Sequence, residues 1–142
     1  MRFDLAMICE LCEEVRLQCI RRSPDEVGLR LEPGVTLVFQ NAPNEDDCLV
    51  GFEGTQWHTH DGLTCSDRHG YYVEHSYLDL VTGLADGSVL ICELWTRSAL
   101  ADRWLVHRDF VDEFRHMQDG DEIRIRSVQR RGSAEGAKSE GA

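Results

Sequence analysis

The sequence lacks long apolar runs. No apolar segment among its 142 residues approaches the roughly 20 residues that a membrane-spanning helix needs. Acidic residues also interrupt the N-terminal stretch in which a secretory signal peptide would require an uncharged apolar segment, namely Asp4, Glu10, Glu13 and Glu14. We therefore expect neither a membrane span nor a signal peptide, and we predict a cytoplasmic protein.

The sequence motifs of several enzyme classes are also absent. The chain contains neither G-x-x-x-x-G-K-[ST] nor G-x-G-x-x-G, which excludes nucleotide binding by these two phosphate-binding loops. It has no G-x-S-x-G and no H-E-x-x-H, and it lacks the H-x-E and P-C-x-x-C pair of the zinc deaminases. These absences favour a binding protein over an enzyme.

Basic residues are in short supply. The chain has 15 Lys and Arg against 26 Asp and Glu, which gives a net charge of −11. This charge repels nucleic acid and anionic membranes, so we expect neither as a partner. It suits a basic protein, because opposite potentials steer the encounter of two partners. The simpler alternative is that the acidic surface only keeps the protein in solution.

Six cysteines occur at positions 9, 12, 19, 48, 65 and 92. In the absence of a signal peptide, they are expected to be reduced thiols rather than disulfides. Cys9 and Cys12 form a C-x-x-C, the spacing of redox and zinc motifs, but they lie within a helical apolar pattern and no second such pair follows. We predict that both pack in the core, where cysteine behaves as a small apolar residue.

The first half of the chain predicts one helix followed by a sheet. Asp4 can cap a helix, and apolar residues recur after it at spacings of three and four as far as Cys19. This pattern predicts a helix from Leu5 to about Arg21, ended by the residues around Pro24. Four short apolar segments bounded by turn residues then predict an antiparallel meander, at 27–31, 35–39, 48–53 and 56–60.

The second half predicts further helices and strands. Residues 61–70 are rich in Gly, Asp and Ser and predict a long loop, which is often functional. The spacing of apolar residues predicts a helix over 72–84, a hairpin of 88–96 with 103–107, a short helix near 110–117 and a strand over 122–128. The predicted fold is α+β, a mostly antiparallel sheet with helices packed on one face. Residues 1–128 are predicted to form a single domain, and 129–142 a disordered tail.

Residues of metal-binding type are concentrated in Trp57-His58-Thr59-His60 and in the loop that follows. Alternation along a strand puts His58 and His60 on one face and Trp57 on the other. Two imidazoles are too few for zinc, which takes three protein ligands and a water or four protein ligands. The candidate additional ligands are Asp61, Cys65, Asp67 and His69, and the predicted metal set is His58, His60, Asp67 and His69. The alternative is that the two histidines form only the polar edge of a strand.

The His58-Thr59-His60 segment resembles the H-[ST]-H-P signature of JAMM/MPN-type metallopeptidases. Ser66 and Asp67 follow it, as a Ser and an Asp do in that family, although Asp61 stands in place of the proline. The resemblance implies a metal-dependent hydrolase in which the two histidines and an aspartate bind zinc. This is the alternative function, and zinc is the cofactor expected only in that case.

The order of elements, with W-H-x-H between the meander and a helix, resembles small acidic bacterial domains of the immunity-protein type. That resemblance implies a non-catalytic protein without a cofactor, which occludes a basic partner such as a toxin domain. Its oligomeric state is open. The binding residues are expected in two acidic regions, namely Glu45, Asp46 and Asp47 in one loop and Asp109, Asp112 and Glu113 in the other.

Overall fold

A computed structural model describes residues 2–111 and 118–128, and within them the fold is α+β with antiparallel strand pairing throughout. The helices are α1 (Leu5–Val15) and α2 (Tyr77–Asp86). The strands are β1 (Gln18–Ser23), β2 (Glu26–Glu32), β3 (Val35–Asn41), β4 (Cys48–Phe52), β5 (His58–Thr59), β6 (Leu63–Ser66), β7 (Tyr72–His75), β8 (Val89–Thr96), β9 (Ala99–His107) and β10 (Asp121–Arg126). The described strands form three sheets, with the orders β1-β2-β3-β4-β5, β10-β8-β9 and β6-β7.

Helix α1 is shorter than its apolar pattern predicts. Asp4 caps it as expected and accepts a hydrogen bond from the Met7 N–H. It ends at Arg16, whose φ of 65° lies in the left-handed region, so the predicted extension to Arg21 is wrong. The chain reverses there, and burial then alternates from buried Leu17 to half-buried Cys19, as in a strand. The spacing of three and four between apolar residues continues into β1 only by coincidence.

The predicted four-strand meander is confirmed as β2 to β5, and β1 adds a fifth strand to it. Side chains that alternate along β2, β3 and β4 form the centre of the core, where Leu29 pairs with Leu37 and Leu37 with Phe52. Strand β5 is shorter than predicted. It pairs with β4 through His58 and Thr59.

The segment that the sequence predicts as loop and then helix forms a hairpin. Strands β6 and β7 pair antiparallel, so both the loop over 61–70 and a helix start at Tyr72 are wrong. Helix α2 begins at Tyr77 because Ser76 and Asp79 form a capping box, in which each side chain accepts from the other's backbone N–H. Before that cap, the residues of β7 alternate between exposed and half-buried positions.

The predicted hairpin of β8 with β9 and the last predicted strand, β10, are confirmed, although β9 begins earlier, at Ala99. A 3₁₀ turn follows at Arg108–Phe110. The short helix predicted near 110–117 falls largely on residues 112–117, which lie outside the described residues. The predicted tail over 129–142 also lies outside them.

Both helices pack against each other and against strands. Helix α1 contacts β1 and β2, and α2 contacts β7 and β8. One cluster of buried apolar residues extends from Phe3 to Val128 and includes Ile8 of α1 and Leu84 of α2. In the described part of the chain, no helix is long and apolar enough to cross a membrane.

Candidate functional site

An open pocket of about 450 Å³ lies between β5 and the β6–β7 hairpin. Its lining residues are Trp57, His58, Thr59, His60, Asp61, Gly62, Leu63, Thr64, Glu74 and His75. Asp61 and Glu74 are exposed carboxylates, and among the residues described no lysine or arginine lines the cavity. We call this cavity the acidic pocket.

The turn between β5 and β6 is fixed by Thr59 and Gly62. The Thr59 hydroxyl donates to the Gly62 carbonyl and accepts from the Asp61 N–H. A Cβ on Gly62 would lie 1.9 Å from the His75 carbonyl oxygen, so the turn touches the end of β7 directly. This close approach brings residues of β5 and β7 to opposite sides of one pocket.

His58 and His60 are brought together in the acidic pocket. Their ring centroids are 5.2 Å apart and their planes meet at 80°, edge to face. His58 Nδ1 lies 3.1 Å from the Gln56 carbonyl oxygen, and His60 Nδ1 lies 3.0 Å from that of Cys48. A carbonyl can only accept, so in the neutral imidazole the proton is on Nδ1 and the lone pair is on Nε2.

The other two residues of the predicted metal set do not line this pocket. Asp67 accepts from the His69 and Tyr71 N–H groups at 2.8 and 3.1 Å, so it stabilises the β6–β7 turn. His69 Nε2 lies 3.4 Å from Arg68 Nε. Within residues 2–111 and 118–128, no group of three or more His, Cys, Asp or Glu could hold a metal ion. Zinc binding by the histidine pair stays a prediction.

The first acidic region adjoins the pocket. Glu45, Asp46 and Asp47 are exposed in the loop between β3 and β4. Asp47 Oδ1 lies 3.2 Å from His60 Nδ1 and accepts from the Cys48 N–H at 2.8 Å. The bond from the Cys48 N–H lowers the pKa of Asp47, and His60 adds to this effect. Asp47 therefore carries its charge at neutral pH beside the pocket.

The second acidic region is described only in part. Asp109 is exposed, and its carboxylate lies 3.7 Å from His107 Nδ1. Asp112 and Glu113 lie outside the described residues. His107 itself is buried, and this burial lowers its pKa.

Further pocket residues lie on β7, in the segment that the spacing of apolar residues predicts as a helix over 72–84. Glu74 and Tyr72 occupy alternate, exposed positions of β7, and they pair with Thr64 and Ser66 of β6. These four residues form one exposed face, which we call the hairpin face. The signal for this strand in the sequence was the run of aromatic and β-branched residues from Tyr71 to Val73, which are enriched in strands.

His75 is a further residue that the sequence did not indicate. It lines the pocket, and its ring stacks on that of His107, with centroids 5.4 Å apart and planes 25° apart. Its Nε2 is buried without a hydrogen-bond partner among the described residues. His75 thus connects the pocket wall to the packing between β7 and β9.

Comparison of the chain with models of protein families, with curated proteins and with solved structures finds no match. The case for a function therefore depends on the residues themselves. The acidic pocket is lined by two carboxylates, by the imidazoles of His58 and His60 and by an indole, an arrangement suited to a cationic group.

Proposed function

We propose that this chain is a non-catalytic binding protein that captures a basic protein and occludes the surface that it covers. The observation that carries the proposal is the acidic pocket, where Asp61 and Glu74 are exposed and no lysine or arginine is found among the described lining residues. Carboxylates that no lysine or arginine of their own chain pairs with are available to a cation of a partner. The immunity-type resemblance of the sequence supports the same class of function.

The pocket suits an arginine side chain in particular. A planar guanidinium donates two parallel hydrogen bonds to a carboxylate, and it stacks on aromatic faces. Asp61 and Glu74 supply carboxylates, and Trp57 supplies an aromatic ring in the same cavity. A lysine ammonium can pair with the same carboxylates, but it gains less because it has no planar fork.

The hairpin face extends the contact surface beyond the pocket. Tyr72, the first residue of β7, is 67% exposed, and Tyr71 in the turn before it is 74% exposed. Tyrosine is enriched at protein interfaces, because its ring covers a large area with few rotatable bonds and its hydroxyl still forms hydrogen bonds. Glu74 belongs both to this face and to the pocket, so one partner could contact both.

The charge of the whole chain supports rapid association. The net charge of −11 attracts a basic protein over distances of about a Debye length. Asp47 places part of that charge next to His60 at the pocket edge, and Glu45 and Asp46 precede it in the same exposed loop. Steering of this kind raises association rates more than it lowers dissociation rates.

A pair of double variants with equal net charge tests the proposal. Asp61→Asn/Glu74→Gln neutralises the pocket, and Glu10→Gln/Glu14→Gln removes two exposed charges from α1. The probe is a dye-labelled oligo-arginine peptide, titrated by fluorescence anisotropy over a range of salt concentrations. We expect the pocket variant to bind roughly tenfold more weakly, about 1.4 kcal/mol, with a flatter salt dependence. The α1 variant should change affinity less than about twofold.

Equal losses in the two variants would show that only net charge attracts the peptide, and would overturn a specific pocket. An oligo-lysine peptide of the same length serves as the comparison ligand. Tighter binding of the arginine peptide to the wild type, with the preference lost in the pocket variant, is the result expected of a guanidinium site. No preference would leave the two carboxylates as simple point charges and contradict the arginine assignment.

A second candidate function, a metal-dependent hydrolase, is favoured by one observation. Both imidazoles of the His58–His60 pair have Nδ1 against a backbone carbonyl, the contact that orients many zinc-bound histidines. The pair supplies two protein ligands, whereas a catalytic zinc needs three. The described residues do not complete that set, so we derive no catalytic step from it.

Elemental analysis of the purified protein separates the two candidates. About one zinc per chain in the wild type, absent from a folded His58→Ala/His60→Ala variant, would favour the hydrolase. A wild type that stays without metal after dialysis against zinc would contradict it. Circular dichroism of the variant checks that the fold survives.

A further inference from the structure

Three thiols meet where α1 is followed by β1. Cys9 and Cys12 lie on α1 and Cys19 lies on β1, and the left-handed turn at Arg16 folds the strand back against the helix. The Sγ atoms of Cys9 and Cys19 are 2.9 Å apart, although the two residues are ten apart in the chain. The buried Cys12 is close enough to raise the pKa of the Cys19 thiol. Cys19 is thus the central thiol of the three.

We propose that Cys9 and Cys19 form a reversible disulfide by exchange with a small-molecule disulfide such as oxidised glutathione. The S–S bond of a disulfide is about 2.05 Å long, so the two Sγ atoms need to approach by only roughly 0.9 Å. All three cysteines are free thiols in this structure. Cys9 and Cys19 are half-buried and accessible in part, whereas Cys12 is fully buried.

The order of the two steps follows from the environment of each thiol. Burial and the hydrogen bond with Cys19 raise the pKa of Cys9 to about 11. The pKa of Cys19 is raised further, chiefly by the Cys12 thiol and by burial. Only the thiolate attacks a disulfide, so Cys9 is the better first nucleophile.

The reaction is a balanced exchange. Cys9 thiolate attacks one sulfur of oxidised glutathione, the glutathione S–S bond breaks, and one reduced glutathione leaves. Cys19 thiolate then attacks Cys9 Sγ of the mixed disulfide and releases the second reduced glutathione. The protein loses two thiol protons and two electrons, and both are recovered in two glutathione thiols. The new bond ties α1 to β1, one of the two edge strands of the five-stranded sheet.

Intact mass and peptide mapping test the proposal on the full chain. We expect wild type treated with excess oxidised glutathione to lose two hydrogen atoms and to retain no glutathione. Trypsin cleaves after Arg16 and so separates Cys19 from the other two, and a glutamyl endopeptidase cleaves after Glu10, between Cys9 and Cys12. The linked peptides should contain Cys9 and Cys19. The rate should rise about tenfold for each pH unit between about 7 and 9, because both pKa values lie above this range.

Two single variants provide the controls. Cys65→Ser removes a half-buried thiol outside the cluster, and it should leave the loss of two hydrogens unchanged. Cys19→Ser should abolish that loss and leave a glutathione adduct on Cys9. A Cys12–Cys19 linkage, a linkage that involves Cys48, Cys65 or Cys92, single glutathione adducts in the wild type, or no reaction would each overturn the proposal. The mapping of wild type decides the matter even where a variant does not fold.

Discussion

Arg126 of β10 holds the carboxylate of Glu93 with both terminal nitrogens, at 2.8 and 3.1 Å, and that carboxylate is only 2% exposed. Arg103 of β9 and the Trp95 indole donate to the same two oxygens. Arg126 also pairs with Glu32 at the end of β2. One guanidinium therefore connects the three-stranded sheet to the five-stranded sheet, through a buried charge that is fully hydrogen-bonded.

Replacement of Arg126 should destabilise the fold strongly. Arg126→Met leaves Glu93 buried with one cation fewer and Glu32 without its partner, and we expect a loss of about 3 kcal/mol in the free energy of unfolding. Arg124→Met on the same strand is the matched control. Arg124 pairs with Glu122 at the surface and lies over the Trp95 ring, so its loss should cost less than about 1 kcal/mol. Urea denaturation measures both, and equal costs would contradict the bridging role.

Glu93 should make the fold sensitive to acid. Arg126, with Trp95 and Arg103, lowers its pKa from the ordinary 4.5 to about 2. A depressed carboxyl pKa stabilises the folded state fully above about pH 4.5, and this stabilisation is lost as pH falls from 4.5 towards 2. The shift corresponds to about 3 kcal/mol.

Glu93→Gln isolates this effect, because glutamine does not titrate. Below about pH 4.5, the stability of the wild type should fall more steeply than that of the variant. Urea denaturation at about pH 5 and about pH 3 measures the difference. Parallel losses in the two proteins would assign the acid sensitivity to other carboxylates.

Gly62→Ala should distort the acidic pocket. The added methyl group would meet the His75 carbonyl at 1.9 Å, and neither the turn nor the end of β7 can yield without a backbone shift. We expect a loss of about 2 kcal/mol or more, with weaker binding of the oligo-arginine peptide. Thr64→Ala at an exposed lining position is the control, with an expected cost below about 0.5 kcal/mol. Thermal unfolding and anisotropy report the two effects.

Ser76 should determine where α2 starts. Ser76→Ala removes the side-chain acceptor for the Asp79 N–H, and we expect a loss of about 1 kcal/mol, seen as a fall in thermal midpoint. Ser76→Asp keeps an acceptor at the cap and should restore most of the stability. If both variants lose the same amount, the cap does not stabilise the helix.

Neutralising the loop beside the pocket should slow association. In Glu45→Gln/Asp46→Asn, Asp47 is kept, because it also accepts from the Cys48 N–H. We expect a lower association rate with the oligo-arginine peptide, a smaller salt dependence and little change in dissociation, since exposed charges act mainly on the encounter. Stopped-flow fluorescence measures both rates. Unchanged association would exclude steering by this loop.

Local patterns predicted the elements whose partners are near in sequence. The strand meander and the β8–β9 hairpin follow from apolar segments separated by short turns, and they are present. The pairing of His58 with His60 on one side of the chain also followed from alternation, and their rings do meet. The helix ends were predicted less well. The left-handed residue at Arg16 is not a glycine, so no residue type marked that reversal.

Contacts between distant segments could not be predicted. Glu32 and Arg126 are 94 residues apart, and no periodicity indicates that they pair. Cys9 forms a C-x-x-C with Cys12 along the chain, but its sulfur meets Cys19 across the turn, a contact that this spacing does not indicate. The acidic pocket similarly lies between β5 and β7, and the residues of β7 fall in the segment that apolar spacing predicts as a helix. Tertiary packing decides such contacts.

The short length of β5 has a consequence for self-association. The five-stranded sheet has two edge strands, and the unpaired backbone N–H and C=O groups of an edge strand can pair with a second molecule. At one edge, β5 is only two residues long, His58 and Thr59. At the other, β1 presents the exposed side chain of Arg21, and a charged residue on an edge strand disfavours pairing with a second copy. Both edge strands are therefore poor templates for the growth of fibrils.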